Sequence, residues 1–278
     1  MNLIQALILG IVEGITEFLP VSSTGHLTIT EKLLGLRVND PGVTAFTAII
    51  QVGAIVAVII YFRADIVRLA VAWARGLTNP AARTEFDYRF AWYVIIGSIP
   101  IGIIGFLGKD VITGSLRSLW VVAGALILWS AVMGLSERAG KQQRGERDLT
   151  LRDVLTVGLM QCIALVPGVS RSGATISAGL FRGLDRVTAT RLSFFLSIPA
   201  LTAAGLYEGV SQASAISATV GWAATIVGTV VSLVVAYASI AWLLRLVVHH
   251  PITVFIGYRI ALGVGLIIAL STGLIAAT

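Results

Sequence analysis

Residues 13–26 read EGITEFLPVSSTGH, placing two carboxylates, three consecutive hydroxyls and an imidazole in one short stretch. Glu13 and Glu17 are four apart, so on a helix they share one face. Two carboxylates this close are tolerable when they hold a divalent cation or share a proton. Pro20 interrupts the helix. Ser22, Ser23 and Thr24 follow it and precede an apolar run, where one hydroxyl suits an N-cap. Three in succession exceed what a cap needs. His26 lies three residues beyond Ser23, so on a starting helix both face the same cavity.

A second stretch, PGVSRSGAT at residues 167–175, carries complementary chemistry. Arg171 is the sole basic residue between Arg152 and Arg182. An arginine in apolar surroundings needs an anionic partner, and its planar fork matches phosphate oxygens. Ser170, Ser172 and the adjacent amides would open a helix whose N-terminus favours anions. Brought together, the two stretches make a site for a phosphorylated group.

The elements that must position these residues are membrane helices. The 278 residues are 56% hydrophobic and 12% charged, with a mean hydropathy of +0.91. A soluble domain carries about 25% charged residues. Apolar runs at 43–62, 90–107, 119–135, 187–206, 220–244 and 252–276 approach or exceed the roughly 20 residues that cross a bilayer. The sequence therefore predicts an all-α polytopic membrane protein. The first residues lack a basic n-region and a cleavage site, so the N-terminus is expected to belong to the mature fold. The lone Cys162 excludes an internal disulfide framework and reads as packing. The net charge of +6 resides mostly in loops, which favours orientation and anionic lipid over nucleic acid as its explanation.

Arg63, Arg68, Arg75, Arg83 and Arg89 read as one long basic loop, and residues 137–152 read as another. The positive-inside rule places both in the cytoplasm, with the basic-poor stretches 109–117 and 208–217 outside. Three crossings before residue 137 then run opposite in sense to the three after it. A shift of 148 residues pairs Gly10 with Gly158, Ser22 with Ser170 and Gly25 with Gly173, and sets Glu13 against Gln161. The expected architecture is one membrane domain over 1–278, made of two inverted-topology repeats. Repeat one covers about 1–136, the cytoplasmic loop about 137–152, and repeat two about 153–278. Each repeat is a re-entrant helical hairpin with a broken tip plus three transmembrane helices, because irregular backbone at membrane depth survives only where protein or a wet cavity satisfies it.

With both motifs in place, the chain resembles the undecaprenyl-diphosphate phosphatase family of bacteria, the bacitracin-resistance type, over essentially its whole length. The match runs through Glu13, Glu17, Pro20, Ser22, Ser23, Gly25 and His26, then through Pro167, Gly168, Ser170, Arg171, Ser172, Gly173 and Thr175. The resemblance implies hydrolysis of undecaprenyl diphosphate to the monophosphate, which recycles the lipid carrier for cell-wall synthesis and confers bacitracin resistance. It also implies dependence on a divalent cation (Mg2+ or Ca2+), residence in the bacterial inner membrane and a site opening to the periplasm. The candidate catalytic residues are Glu17, Ser23, His26 and Arg171, and Glu13 with Glu17 are the candidate metal ligands. Candidate substrate contacts are Glu13, Ser22, Thr24, Gly25, Ser170, Ser172, Gly173 and Thr175. The expected partners are a polyprenyl diphosphate lipid and membrane lipids, with no nucleic acid; homodimerisation is left open.

The preferred scheme has Ser23 attack the terminal phosphorus, His26 take its proton, and Arg171 with hairpin amides stabilise the transferring group. Attack by water and attack by His26 stay open. Type-2 phosphatidic acid phosphatases are a poor match, because His249 and His250 are followed by Pro251, Ile252 and Thr253 where that family needs an aspartate. A lipid flippase on the same fold is the alternative from another class.

Overall fold

In the computed structural model, residues 1–278 are described except 39, 109–110, 113–115, 117, 212 and 278, and the side chains of 208–210 and 213. The two stretches expected to be basic-poor outer loops, 109–117 and 208–217, lie partly outside the described residues. In chain order the main helices are α1 (Leu3–Thr16), α2 (Ser23–Leu33), α3 (Pro41–Tyr61), α4 (Arg63–Thr78), α5 (Phe86–Leu107) and α6 (Leu119–Ala139). There follow α7 (Leu151–Ile163), α8 (Arg171–Phe181), α9 (Arg186–Ser211), α10 (Trp222–His249) and α11 (Ile256–Ser271). Among the described residues, six helical stretches are long and apolar enough to cross a membrane, and each contains or overlaps one of the predicted runs. The protein is all-α and polytopic in the membrane.

Local sequence explains the helix starts. Asn2 and Gln5 form a capping box, with Oδ1 of Asn2 accepting from the Gln5 amide at 2.8 Å and Oε1 of Gln5 accepting from the Asn2 amide at 2.9 Å. The same device recurs 148 residues later, where Thr150 and Asp153 box the start of α7. Helices α2 and α8 are also 148 residues apart at both ends. Asp40 caps α3, with Pro41 at its first position.

One expectation needs correction. The basic stretch after α3 is a 16-residue helix rather than a loop. Leu69, Ala72 and Gly76 recur at helical spacing and are buried, while Arg63, Arg68 and Arg75 face outward. Those three arginines obscured that apolar stripe.

Packing ties the chain's halves together. Helix α1 lies against α10, and α7 lies against α5. Both crossings need glycine. A Cβ at Gly10 would stand 2.5 Å from the Gly228 carbonyl oxygen, and one at Gly158 would stand 2.3 Å from that of Gly97. Each hairpin thus packs on a helix from the other half of the chain.

The base of the second hairpin is pinned by charge. Asp153 is fully buried; its Oδ1 accepts from Arg144 at 3.0 Å and Arg182 at 2.8 Å, and its Oδ2 accepts from the Thr150 hydroxyl at 2.6 Å. Burial alone would raise the Asp153 pKa, but the hydrogen bonds from Arg144, Thr150 and Arg182 hold it well below the usual carboxylate range. Breaking a wholly buried pair is destabilising by about 3–5 kcal/mol. The arginine side chains here are 31% and 39% exposed, so Asp153→Asn is expected to destabilise by about 2 kcal/mol. A depressed pKa gives stability that is full above the unfolded value, about 4, and is lost as pH falls toward the folded one. The melting midpoint of the parent protein in detergent should therefore fall more steeply below about pH 4 than that of Asp153→Asn.

Candidate active site

The links between helices of each hairpin are strained at equivalent points. Ser22 has φ 76° and Ser170 has φ 77°, left-handed values that non-glycine residues rarely adopt. Such strain costs about 1–3 kcal/mol and clusters at functional sites. Each serine caps the helix it precedes: Ser22 Oγ accepts from the Gly25 amide at 3.4 Å, and Ser170 Oγ accepts from the Gly173 amide at 3.2 Å. The tips also bond each other. Gly168 N–H donates to Ser22 Oγ at 3.0 Å, and Ser172 Oγ donates to the Leu19 carbonyl at 2.9 Å.

Glu17 is the hub. Its Oε2 accepts from Ser23 Oγ at 2.7 Å and from Gln51 Nε2 at 3.2 Å, while its Oε1 accepts from Arg171 Nη2 at 3.2 Å. Both side chains of the ion pair are nearly dry, at 3% and 9% exposure. Such a pair is far less screened than a surface one. Arg171 Nη1 donates to the Ser193 carbonyl at 3.1 Å, and the guanidinium lies 5.7 Å from the Phe18 ring centroid. Its Nε is buried with no partner among the described residues. One carboxylate thus links a hydroxyl to a guanidinium that retains an unused donor.

The structure therefore brings Glu17, Ser23 and Arg171 together, but it pairs His26 differently from the expected scheme. Nδ1 of His26 donates to the Ser22 carbonyl at 2.7 Å, since a carbonyl can only accept. That leaves Nε2 to accept from the Tyr258 hydroxyl at 2.6 Å, with the two rings stacked at 5.6 Å. The Ser23 hydrogen bond goes to Glu17, so the expected Ser23-to-His26 proton transfer has no contact behind it. The reason is local: the imidazole reaches back one turn to its own helix start.

Several expected phosphate contacts are also engaged elsewhere. Ser22, Ser170 and Ser172 hold the tips, Gly25 and Gly173 donate to the caps, and Thr175 Oγ1 donates to the Arg171 carbonyl at 2.8 Å and pairs with Ser193 Oγ at 2.7 Å. A buried, irregular tip must satisfy its own backbone first. Thr24 is exposed, and Ser23 and His26 are partly so.

Glu13 is fully buried one turn before Glu17, and neither of its carboxylate oxygens has a hydrogen-bond partner among the described residues. No cluster of three or more His, Cys, Asp or Glu side chains among the described residues makes a metal cage. A hard cation accepts oxygens from substrate phosphates and water as well as carboxylates. Glu13 with Glu17 fits that kind of site.

Four further residues escaped the reading of the sequence: Gln51, Ser193, Tyr258 and Arg259. Arg259 is wholly buried at the start of α11. A single arginine inside the apolar run 252–276 was the signal that marks it.

Fold and site together define a polytopic membrane protein with a buried acid–hydroxyl–guanidinium centre between two broken hairpins. The chain belongs to the family described as bacitracin resistance protein BacA, which matches residues 6–265. It is 59% identical over 278 residues, all of both chains, to a Frankia casuarinae protein named undecaprenyl-diphosphatase 3. It is 58% identical over 270 residues, 95% of each chain, to a Cutibacterium acnes protein named undecaprenyl-diphosphatase. An Acidothermus cellulolyticus protein of the same name is 54% identical over 262 residues, 94% of each chain.

Proposed function

We propose that this protein hydrolyses undecaprenyl diphosphate to undecaprenyl phosphate and inorganic phosphate. In that role it recycles the lipid carrier for cell-wall synthesis and confers bacitracin resistance. The observation that carries the reading is Glu17, which accepts from Ser23 on one oxygen and from Arg171 on the other. The names of the relatives supply the lipid. A flippase needs binding groups but has no use for a hydroxyl bonded to a carboxylate, so transport alone is not favoured.

In the proposed reaction, Ser23 Oγ attacks the terminal phosphorus as Glu17 takes its proton. The bond from that phosphorus to the bridging oxygen breaks, and undecaprenyl phosphate departs with the proton from Glu17. Water then attacks the phosphoserine; Glu17 takes a proton from the water and returns it to Ser23 Oγ as phosphate leaves. Arg171 holds the equatorial oxygens through both steps, using the donor left unpaired at Nε. A divalent cation held by Glu13 and Glu17 would neutralise phosphate charge.

We further infer two inverted repeats, each opening on a re-entrant hairpin. The recurring capping boxes, the matched ends of α2 and α8, and the paired strain at Ser22 and Ser170 support that reading. The positive-inside rule supports an orientation with the basic stretches 63–89 and 137–152 in the cytoplasm, and the family resemblance is what carries an inner-membrane site that opens toward the periplasm. Phosphate release from undecaprenyl diphosphate by the purified protein in detergent, where no second compartment exists, tests the function. Release dependent on Mg2+ or Ca2+ is expected; no release with either ion would turn the reading toward transport.

A further inference from the structure

Arg259 makes four hydrogen bonds, all to neutral oxygens. Nη1 donates to the Pro20 carbonyl at 2.9 Å, and Nη2 donates to the carbonyls of Gly168 at 3.0 Å and Val169 at 3.1 Å. Nε donates to Ser130 Oγ at 3.2 Å, and that hydroxyl donates in turn to the Leu126 carbonyl at 2.7 Å. Pro20 lies on the first tip; Gly168 and Val169 lie on the second. No carboxylate pairs with Arg259 among the described residues, although the side chain is wholly buried.

A buried charge without a counter-ion is expensive, so a neutral donor would serve better if one carbonyl needed satisfying. Three carbonyls on two separate segments set a different demand. They need donors fanned out in one plane, and guanidinium is the side chain that offers five in a rigid fork. We propose that Arg259 is a positioning residue: by clamping carbonyls of both hairpin tips to one plane, it sets the spacing between Ser23 with Glu17 and Arg171. The proposal rests on reading that centre as the phosphatase site.

The lever arms are short. Pro20 precedes Ser23 by three residues, and Val169 precedes Arg171 by two. Between each clamped carbonyl and its reactive side chain lies a strained serine, Ser22 or Ser170. Motion at the clamp is therefore delivered to the site rather than absorbed by flexible chain. The neighbouring Tyr258 donates to His26 Nε2, so the start of α11 touches the site a second time.

The test uses the full-length protein with Arg259→Lys, which keeps the charge and loses the fork, and Arg259→Met, which loses both. A misplacement of about 1 Å costs on the order of 10²-fold in rate. Arg259→Lys is expected to lower kcat by about that factor while KM for undecaprenyl diphosphate moves by less than about threefold. Hydrogen exchange should rise together in peptides covering 18–25 and 165–173, with α3 and α10 still protected. An unchanged kcat, or equal exchange at the tips of variant and parent, overturns the proposal. So does exchange that rises throughout the protein in both variants, which marks a residue needed only for folding. If Arg259→Met does not accumulate, Arg259→Lys decides alone. Should the parent protein release no phosphate, the functional reading fails, and the exchange measurement still decides the clamp.

Discussion

Glu17→Gln is expected to lower phosphate release by about 10²–10⁴-fold, the usual contribution of a positioned general base. Glutamine keeps the shape of glutamate and still accepts a hydrogen bond, so Ser23 and Arg171 retain a neighbour. What disappears is the negative charge and the capacity to take the serine proton. Ser23→Ala should fall as far in a single-turnover measurement, because it removes the attacking oxygen. The double variant should fall no further than either single one, since residues acting as one unit are strongly non-additive. A double variant worse by the product of the two factors would show that they act separately. Full turnover in Ser23→Ala would leave attack by water or by His26 as the surviving schemes. Glu17→Gln also leaves the dry Arg171 cation without its counter-charge, a loss of about 3–5 kcal/mol in a buried pair. Its melting midpoint must be compared first; Ser23→Ala leaves that pair intact and keeps the test valid if Glu17→Gln is too unstable.

The same chemistry explains how much the sequence disclosed. Span length and composition made the six crossings legible, because a hydrocarbon core imposes its thickness on any helix that crosses it. The 148-residue offset behind the proposed repeat pairs Gly10 with Gly158, where backbones touch, and Ser22 with Ser170, where φ is positive. Those positions tolerate few substitutes, so the pattern stays readable through weak identity.

Pairing inside the site was not legible. Spacing placed Ser23, His26 and Glu17 near one another, but several acceptors lay within reach of each donor. The back-bond from His26 Nδ1 to the Ser22 carbonyl decided the outcome, and that depends on a turn geometry that sequence does not specify. Tyr258 and Arg259 were hidden for another reason: they arrive from α11, more than 200 residues from the first tip, within a run read only for hydrophobicity. An arginine inside an apolar run is costly, and asking what repays that cost would have found it.

Arg171→Lys tests the other half of the centre. Lysine keeps the positive charge opposite Glu17, so the buried pair survives and the protein should fold. It replaces a planar fork with a point charge on a flexible stem. In the parent, Nη2 is held by Glu17, Nη1 by the Ser193 carbonyl, and Nε points to no partner among the described residues. The two held nitrogens fix the plane, and Nε–H is left as an unpaired donor that an incoming phosphate oxygen would satisfy. Lysine can satisfy Glu17 or a phosphate oxygen, but it cannot hold a fixed plane while doing both. Losing one preorganised donor of this kind typically lowers kcat by about 10²–10³-fold, and that is the expected fall for Arg171→Lys. If the donor acts on charge that develops during transfer, KM should change far less than kcat. A rise in KM with kcat unchanged would instead make Arg171 a ground-state anchor for the diphosphate, leaving transition-state stabilisation to the hairpin amides and the cation.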